Sequence, residues 1–260
     1  TFDDGYMDHY KIVFPILKKN NIQGSFFPPA KVMLTHEVLD VNKIHFILAS
    51  NQKKTGRIIK EIYSLLNEYR SEYHLDDNNN YYKKLAVKNR FDSAAIVFVK
   101  RLLQVELDEN LRKIIIKKLF NKYVTTDTVS FSKELYMNIK QIKYMIDNGM
   151  YVGSHGFDHY WLNKLSTSKQ ESEIEKSIEF LEYINAPSHN WVMCYPYGAY
   201  NKSLIEIIKN KGCSLALTTK VGIATLSKEN AYTLERLDTN DFPKSMQFQP
   251  ALWTQKLESY

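Results

Sequence analysis

From Asp8 to Asn20 the apolar residues Tyr10, Val13, Phe14 and Leu17 recur at the spacing of one helical face, with Asn20 and Asn21 as stop signals. Pro15 inside that stretch predicts a weakened helix or a kink. Gly24 to Phe27 reads as a short buried strand ended by Pro28 and Pro29. Loop, helix and strand in quick alternation predict parallel α/β architecture.

The next hundred residues change rhythm. Thr55 is placed to cap a helix reaching about His74, with Ile58, Ile59, Ile62, Leu65, Leu66 and Tyr69 as its apolar stripe. Asp76 to Asn80 reads as a polar loop. Asp92 and Asp108 are placed to cap two more helices, one carrying Ile96, Val97, Val99, Leu102 and Leu103, the other Leu111, Ile114, Ile115, Leu119 and Phe120. No strand is predicted from Thr35 to Asn121, so an all-α insertion is expected there. In Ile44 to Leu48, His45 is expected to be a satisfied core histidine.

Alternation then resumes. A helix is predicted from Ser132 through Leu135, Ile139, Ile142 and Met145, stopped by Gly149. Met150 to Gly153 reads as a strand, and Thr167 or Ser168 opens a helix through Ile174, Ile178 and Leu181. Trp191 to Tyr195 is a strand, Lys202 to Lys211 a helix ended by Gly212, and Cys213 to Thr218 another strand.

The chain has 260 residues, 44% hydrophobic and 25% charged, which excludes disordered and collagenous classes. Two cysteines, Cys194 and Cys213, exclude a disulfide scaffold and lack zinc-ribbon spacing. The run from Ala94 to Leu107 is interrupted by Lys100, Arg101 and Glu106, and no transmembrane segment is expected. The cytoplasm is the expected compartment. A periplasmic or secreted location stays open, because the chain begins at Thr1 without Met and the first strand is expected to be truncated.

The formal charge of +6 is uneven. Between Lys31 and Met145, 21 Lys and Arg face 13 Asp and Glu, a net +8. Two accounts fit: solvated lysine-rich helix faces, or attraction to anionic substrates or headgroups. No nucleic-acid motif accompanies the charge, and no nucleic-acid partner is expected.

Three polar clusters sit at predicted strand ends, where α/β folds place their chemistry: Asp3-Asp4, His155 to His159, and Tyr195 to Gly198. His155 and His159 are four apart, which on a helical turn puts both imidazoles on one face. Two histidines and a carboxylate make a metal set with positions left open. Because neighbouring residues of a strand point to opposite sides, Asp3 and Asp4 can share a site only if a turn re-aims one of them.

Thr1-Phe2-Asp3-Asp4-Gly5-Tyr6 resembles the first motif of the NodB-type polysaccharide deacetylases, the family-four carbohydrate esterases. Gly153-Ser154-His155-Gly156-Phe157-Asp158-His159 resembles their metal motif, and Tyr195-Pro196-Tyr197-Gly198 their third. The resemblance implies a distorted (β/α) barrel of about seven strands from residues 1–30 and 124–260, with residues 31–123 inserted as the helical segment. It implies metal-dependent hydrolysis of N-acetyl groups on an amino sugar of a polysaccharide or glycan precursor. Asp4, His155 and His159 would ligate one divalent ion, zinc first, with cobalt, nickel or iron also fitting. Asp3 would be the general base, and the Tyr197 backbone N–H would face the oxyanion. Tyr195 and Trp161 are candidate substrate contacts, packing of the barrel being the alternative reading of Trp161.

The sequence departs from the family pattern in three places. The Arg that commonly precedes the third-motif Gly by four residues is Cys194 here. Arg236 is the expected replacement brace for Asp3, the alternative being an ordinary surface Arg. The hydroxyl residue that often follows the first metal histidine is Gly156. No histidine follows His189, itself expected at the surface, so the general acid is unassigned among Asp3, Asp238 and Asp241. Amide and ester substrates are not separated by these residues, and a weakly active or inactive carbohydrate-binding barrel is the alternative reading. The helical insertion is expected beside the cleft, where its charge would favour an anionic glycan precursor. Oligomeric state is not legible.

Overall fold

The computed structural model describes residues 1–50, 55–243, 245, 252, 253 and 255. Residues 51–54 of the expected insertion and most of the stretch after 243 assigned to the barrel lie outside the described residues. Six strands form among the described residues: β1 (Phe2–Asp3), β2 (Ser25–Phe27), β3 (Tyr151–Val152), β4 (Trp191–Cys194), β5 (Cys213–Val221) and β6 (Leu234–Arg236). The helices, in chain order, are α1 (Phe14–Lys19), α2 (Ala30–Thr35), α3 (Asp40–Ala49), α4 (Thr55–Tyr69), α5 (Asn78–Leu85), α6 (Ala94–Arg101), α7 (Glu109–Tyr123), α8 (Thr128–Leu135), α9 (Ile139–Asp147), α10 (Thr167–Tyr183) and α11 (Lys202–Asn210).

The strands pair in parallel and in chain order, as β1-β2-β3 and β4-β5-β6. A parallel bridge between Ser154 and Met193 links the two sheets: Ser154 donates its N–H to the Val192 carbonyl at 3.0 Å, and Cys194 donates to the Ser154 carbonyl at 2.8 Å. Phe26, Phe27, Val152, Trp191 and Met193 are all buried, as in parallel strands covered on both faces. The expectation of about seven strands closing a barrel is thus met only in part. Six are found, and two of them, β1 and β3, are two residues long because the chain turns at once into the loops that carry the site.

The chain divides into two units, one of Thr1–Thr35 with Lys133–Tyr260 and one of His36–Ser132. The second is helical among its described residues, and its core gathers Ile44, Ile58, Ile62, Phe98, Leu102, Leu111, Ile115 and Phe120. Within it the local expectations need correction at three points. The Asn run is not a loop: Asp77 caps α5 by accepting from the Asn79 N–H, so the asparagines form that helix's first turn. Ser93, not Asp92, caps α6, while the Asp92 carboxylate takes Lys100 at 2.7 Å. His45 is exposed on α3 rather than in the core.

In the first unit a π-helical turn at His9–Val13 runs into α1. Pro15 follows that turn inside one unbroken helical run, so its missing N–H falls where the π turn already interrupts the i→i−4 ladder. The helix expected from Ser132 to Met145 is two helices. Asn138 breaks it with a capping box, accepting from Gln141 N–H at 3.0 Å while its own N–H reaches Gln141 Oε1 at 2.8 Å. Ser166, one residue before the expected start, caps α10.

Candidate metal centre

β1 ends at Asp3, and the chain then turns sharply: Asp4 and Gly5 both have φ near +70°. The turn re-aims Asp4, so that two adjacent carboxylates serve one site. A Cβ at Gly5 would lie within 3 Å of Pro28, and the position takes only glycine comfortably. Asp4 Oδ2 accepts from the Tyr6 hydroxyl at 3.1 Å, leaving Oδ1 facing His155 and His159.

His155 and His159 do not sit on a helical turn, as their spacing suggests. They lie in an irregular loop in which Gly156 has φ +73° and His159 φ +56°. The loop nonetheless brings the two Nε2 atoms to 3.2 Å of each other, and to 3.5 Å (His155) and 3.3 Å (His159) from Asp4 Oδ1. Ligand bonds of about 2.0–2.1 Å at a tetrahedral angle span edges of roughly 3.3–3.4 Å, so the three atoms fit one divalent ion with positions left open. His155 Nδ1 lies 2.6 Å from the Cys194 carbonyl, which fixes the tautomer with Nε2 free to ligate.

Both carboxylates are held ionised. Burial alone would raise Asp4, but hydrogen bonds from His155 and His159 carry it well below the usual carboxylate range. Burial likewise works against Asp3, and Arg236 first, then His155, bring it below its ordinary value. Burial pushes His159 down, whereas for His155 burial is outweighed by Cys194 and Asp4, which carry it well above its ordinary value. Cys194 is buried, and burial pushes its thiol up, so it is neutral and adds no charge beside Asp3.

Arg236, on β6, meets Asp3, on β1, in a two-pronged ion pair: Nη1 to Oδ1 at 3.0 Å and Nη2 to Oδ2 at 2.8 Å. Its Nε donates to the Thr218 carbonyl at 2.9 Å, which locks the guanidinium plane. Tyr197 has φ +58° in the short turn Pro196–Gly198, and its ring stacks on Trp161 at 4.5 Å, 8° from parallel, and meets His159 at 4.7 Å. At Gly198, φ +65°, a Cβ would collide with Thr219.

Tyr195 is placed differently from the expectation. The residue is 1% exposed and its hydroxyl donates to the Tyr232 carbonyl at 3.1 Å, so its side chain packs the fold. Asp238 and Asp241 form a reciprocal cap around a single turn. Three supporting groups escaped the sequence reading: the Tyr6 hydroxyl, the Cys194 carbonyl and Glu173. Only Glu173 left a signal, as a charged residue on the buried stripe of α10 with Gln170, Ile174, Ser177 and Leu181.

Residues 116–216 match the family model described as polysaccharide deacetylase. Over 108 residues the chain is 27% identical to YxkH of Bacillus subtilis (strain 168), named for the same family, a match covering 42% of this chain and 38% of that one. Over that segment the chain is similar to the polysaccharide deacetylases. The matched segment holds the two histidines and the Tyr195–Gly198 turn, two of the three clusters that resemble that family's motifs. Among solved structures, the Streptococcus pyogenes deacetylase PplD, in complex with acetate, shares the fold with a TM-score of 0.50 at 17% identity, over 91% of this chain and 61% of that one. IcaB from Ammonifex degensii aligns with a TM-score of 0.48 at 16% identity, over 91% and 64%. The chain spans less than two thirds of the length of each of these relatives.

Proposed function

We propose that the protein is a metal-dependent hydrolase that removes N-acetyl groups from an amino sugar in a polysaccharide or glycan precursor. The observation that carries this reading is the convergence of Asp4 Oδ1, His155 Nε2 and His159 Nε2 within 3.2–3.5 Å of one another, in a site where Arg236 holds the neighbouring Asp3 ionised. Binding needs only three ligands; a second carboxylate beside them, braced and ionised, is what general-base chemistry adds.

A divalent ion held by Asp4, His155 and His159, zinc first, would polarise the acetyl carbonyl and acidify a water. Asp3 takes a proton from that water as its oxygen adds to the carbonyl carbon. The Tyr197 backbone N–H is assigned to the oxyanion. The C–N bond then breaks, acetate leaves, and the amine leaves with a proton. Asp238 and Asp241 are engaged in their own cap, which favours Asp3 as the group that returns the proton. The stacked Trp161–Tyr197 pair is assigned to the sugar or acetyl face. The +8 charge of residues 31–145 favours anionic glycan precursors over neutral polymers.

The test is acetate release by zinc-loaded protein from matched N-acetylated and O-acetylated oligosaccharides, with and without chelator. Chelator-sensitive release from the amide supports the reading. Release from the ester alone makes it an esterase, and release from neither makes it a binding protein.

A further inference from the structure

The loop carrying both candidate ligands has no strand or helix of its own between Ser154 and Tyr160, and two of its residues have positive φ. Its shape is imposed from outside. Ala30 and Lys31, in the first turn of α2, donate backbone N–H groups to the Gly156 and Phe157 carbonyls at 3.2 and 3.0 Å. From the other side α10 presents two polar residues four apart on its buried stripe. Ser177 Oγ bonds Ser154 Oγ, which itself accepts from the Gly156 N–H at 3.2 Å. Glu173 Oε2 accepts from both the Phe157 and the Asp158 N–H, at 3.2 and 2.9 Å.

Glu173 is 7% exposed, and a carboxylate in such a place is costly unless its bonds do something no apolar side chain would. The two histidines differ in what aims them. His155 is fixed through its ring by the Cys194 carbonyl. His159 has a buried Nδ1 with no hydrogen-bond partner among the described residues, so beyond the packing of its ring against Tyr197 its aim depends on where the backbone puts it. The backbone just before it is the segment Glu173 holds. Residue 156 is glycine and adds no side-chain bond of its own.

We propose that Glu173 is a positioning residue for the metal centre, holding the 157–158 backbone so that His159 points at Asp4 and His155. This rests on the metal-centre reading above.

The test is cobalt(II) and zinc affinity by chelator competition, with the visible spectrum of the cobalt form and hydrogen exchange of the Phe157 and Asp158 amides in metal-free protein. Glu173→Ala is expected to weaken binding about 10–100-fold, as loss of an outer-shell partner does, to alter the cobalt spectrum and to speed exchange at both amides. Glu173→Gln keeps an acceptor oxygen at the same reach and is expected to recover most of the affinity. If the Ala variant does not fold, Glu173→Asp, which keeps the charge but shortens the reach, is expected to show the loss that Gln avoids. Ile174→Val, a core change beside it, is expected to leave affinity unchanged. Wild-type affinity in Glu173→Ala or Glu173→Asp, or an equal loss in Ile174→Val, overturns the proposal. Wild-type protein that binds no metal overturns the site reading itself, a separate result.

Discussion

An Arg236→Ala change leaves the Asp3 carboxylate part-buried without the guanidinium that engages both its oxygens. Turnover is expected to fall by about two orders of magnitude, the low end of what a positioned general base contributes, while metal affinity holds because Arg236 touches none of the three ligands. Arg236→Lys is expected to restore only part of the rate, since an ammonium cannot make the paired contact. Steady-state kinetics beside chelator competition check both. Tyr195→Phe removes the hydroxyl on the Tyr232 carbonyl and is expected to cost about 1 kcal/mol in denaturant unfolding, with KM unchanged because the side chain is buried in the fold. Asp3, Asp4, His155 and His159 were legible because their types and spacing carry chemistry. The Asp3–Arg236 pairing was legible too: Cys194 stands where a brace was expected, Arg236 was the replacement expected for it, and the structure joins the two. The turn at Asp4 and the inward rotamer of Tyr195 were not, because both are set by neighbours distant in sequence.

At the scale of elements, the apolar stripes located α1, α4, α6, α7, α10 and α11 and placed their ends poorly, while α2, α3 and α5 were not read from them. Polar residues near a helix start compete for the same amides, and one residue decides which side chain reaches them. Asp108 won at α7, accepting from Asn110 and Leu111, whereas Asp92 lost to Ser93 because Lys100 draws it away. Asn138 divides α8 from α9 in a stretch whose apolar positions read as continuous. Asn138→Ala is expected to cost about 1 kcal/mol, read as a lowered unfolding midpoint at unchanged m-value. The metal loop was misread for a related reason: spacing of four has a helical meaning only where the backbone is helical, and Gly156 and His159 adopt left-handed conformations there.

Across the whole molecule, strands running parallel in chain order bring Asp3, the 155–159 loop and the Tyr195–Gly198 turn to the same ends of the sheets, although almost two hundred residues separate the first from the last. That convergence was legible from the order of the motifs. The short strand β6, which delivers Arg236 to Asp3, was not, because three residues carry too little periodicity to announce a strand. The helical unit was legible as a long stretch without strands, its core being built from stripes visible in the sequence. The most direct test of the whole account is acetate release by zinc-loaded wild type and Asp3→Asn, with bound metal counted in the same samples. The account predicts one equivalent of metal in both and acetate from an N-acetylated oligosaccharide in the wild type alone. Full acetate release by Asp3→Asn, or its loss together with the metal, would contradict it.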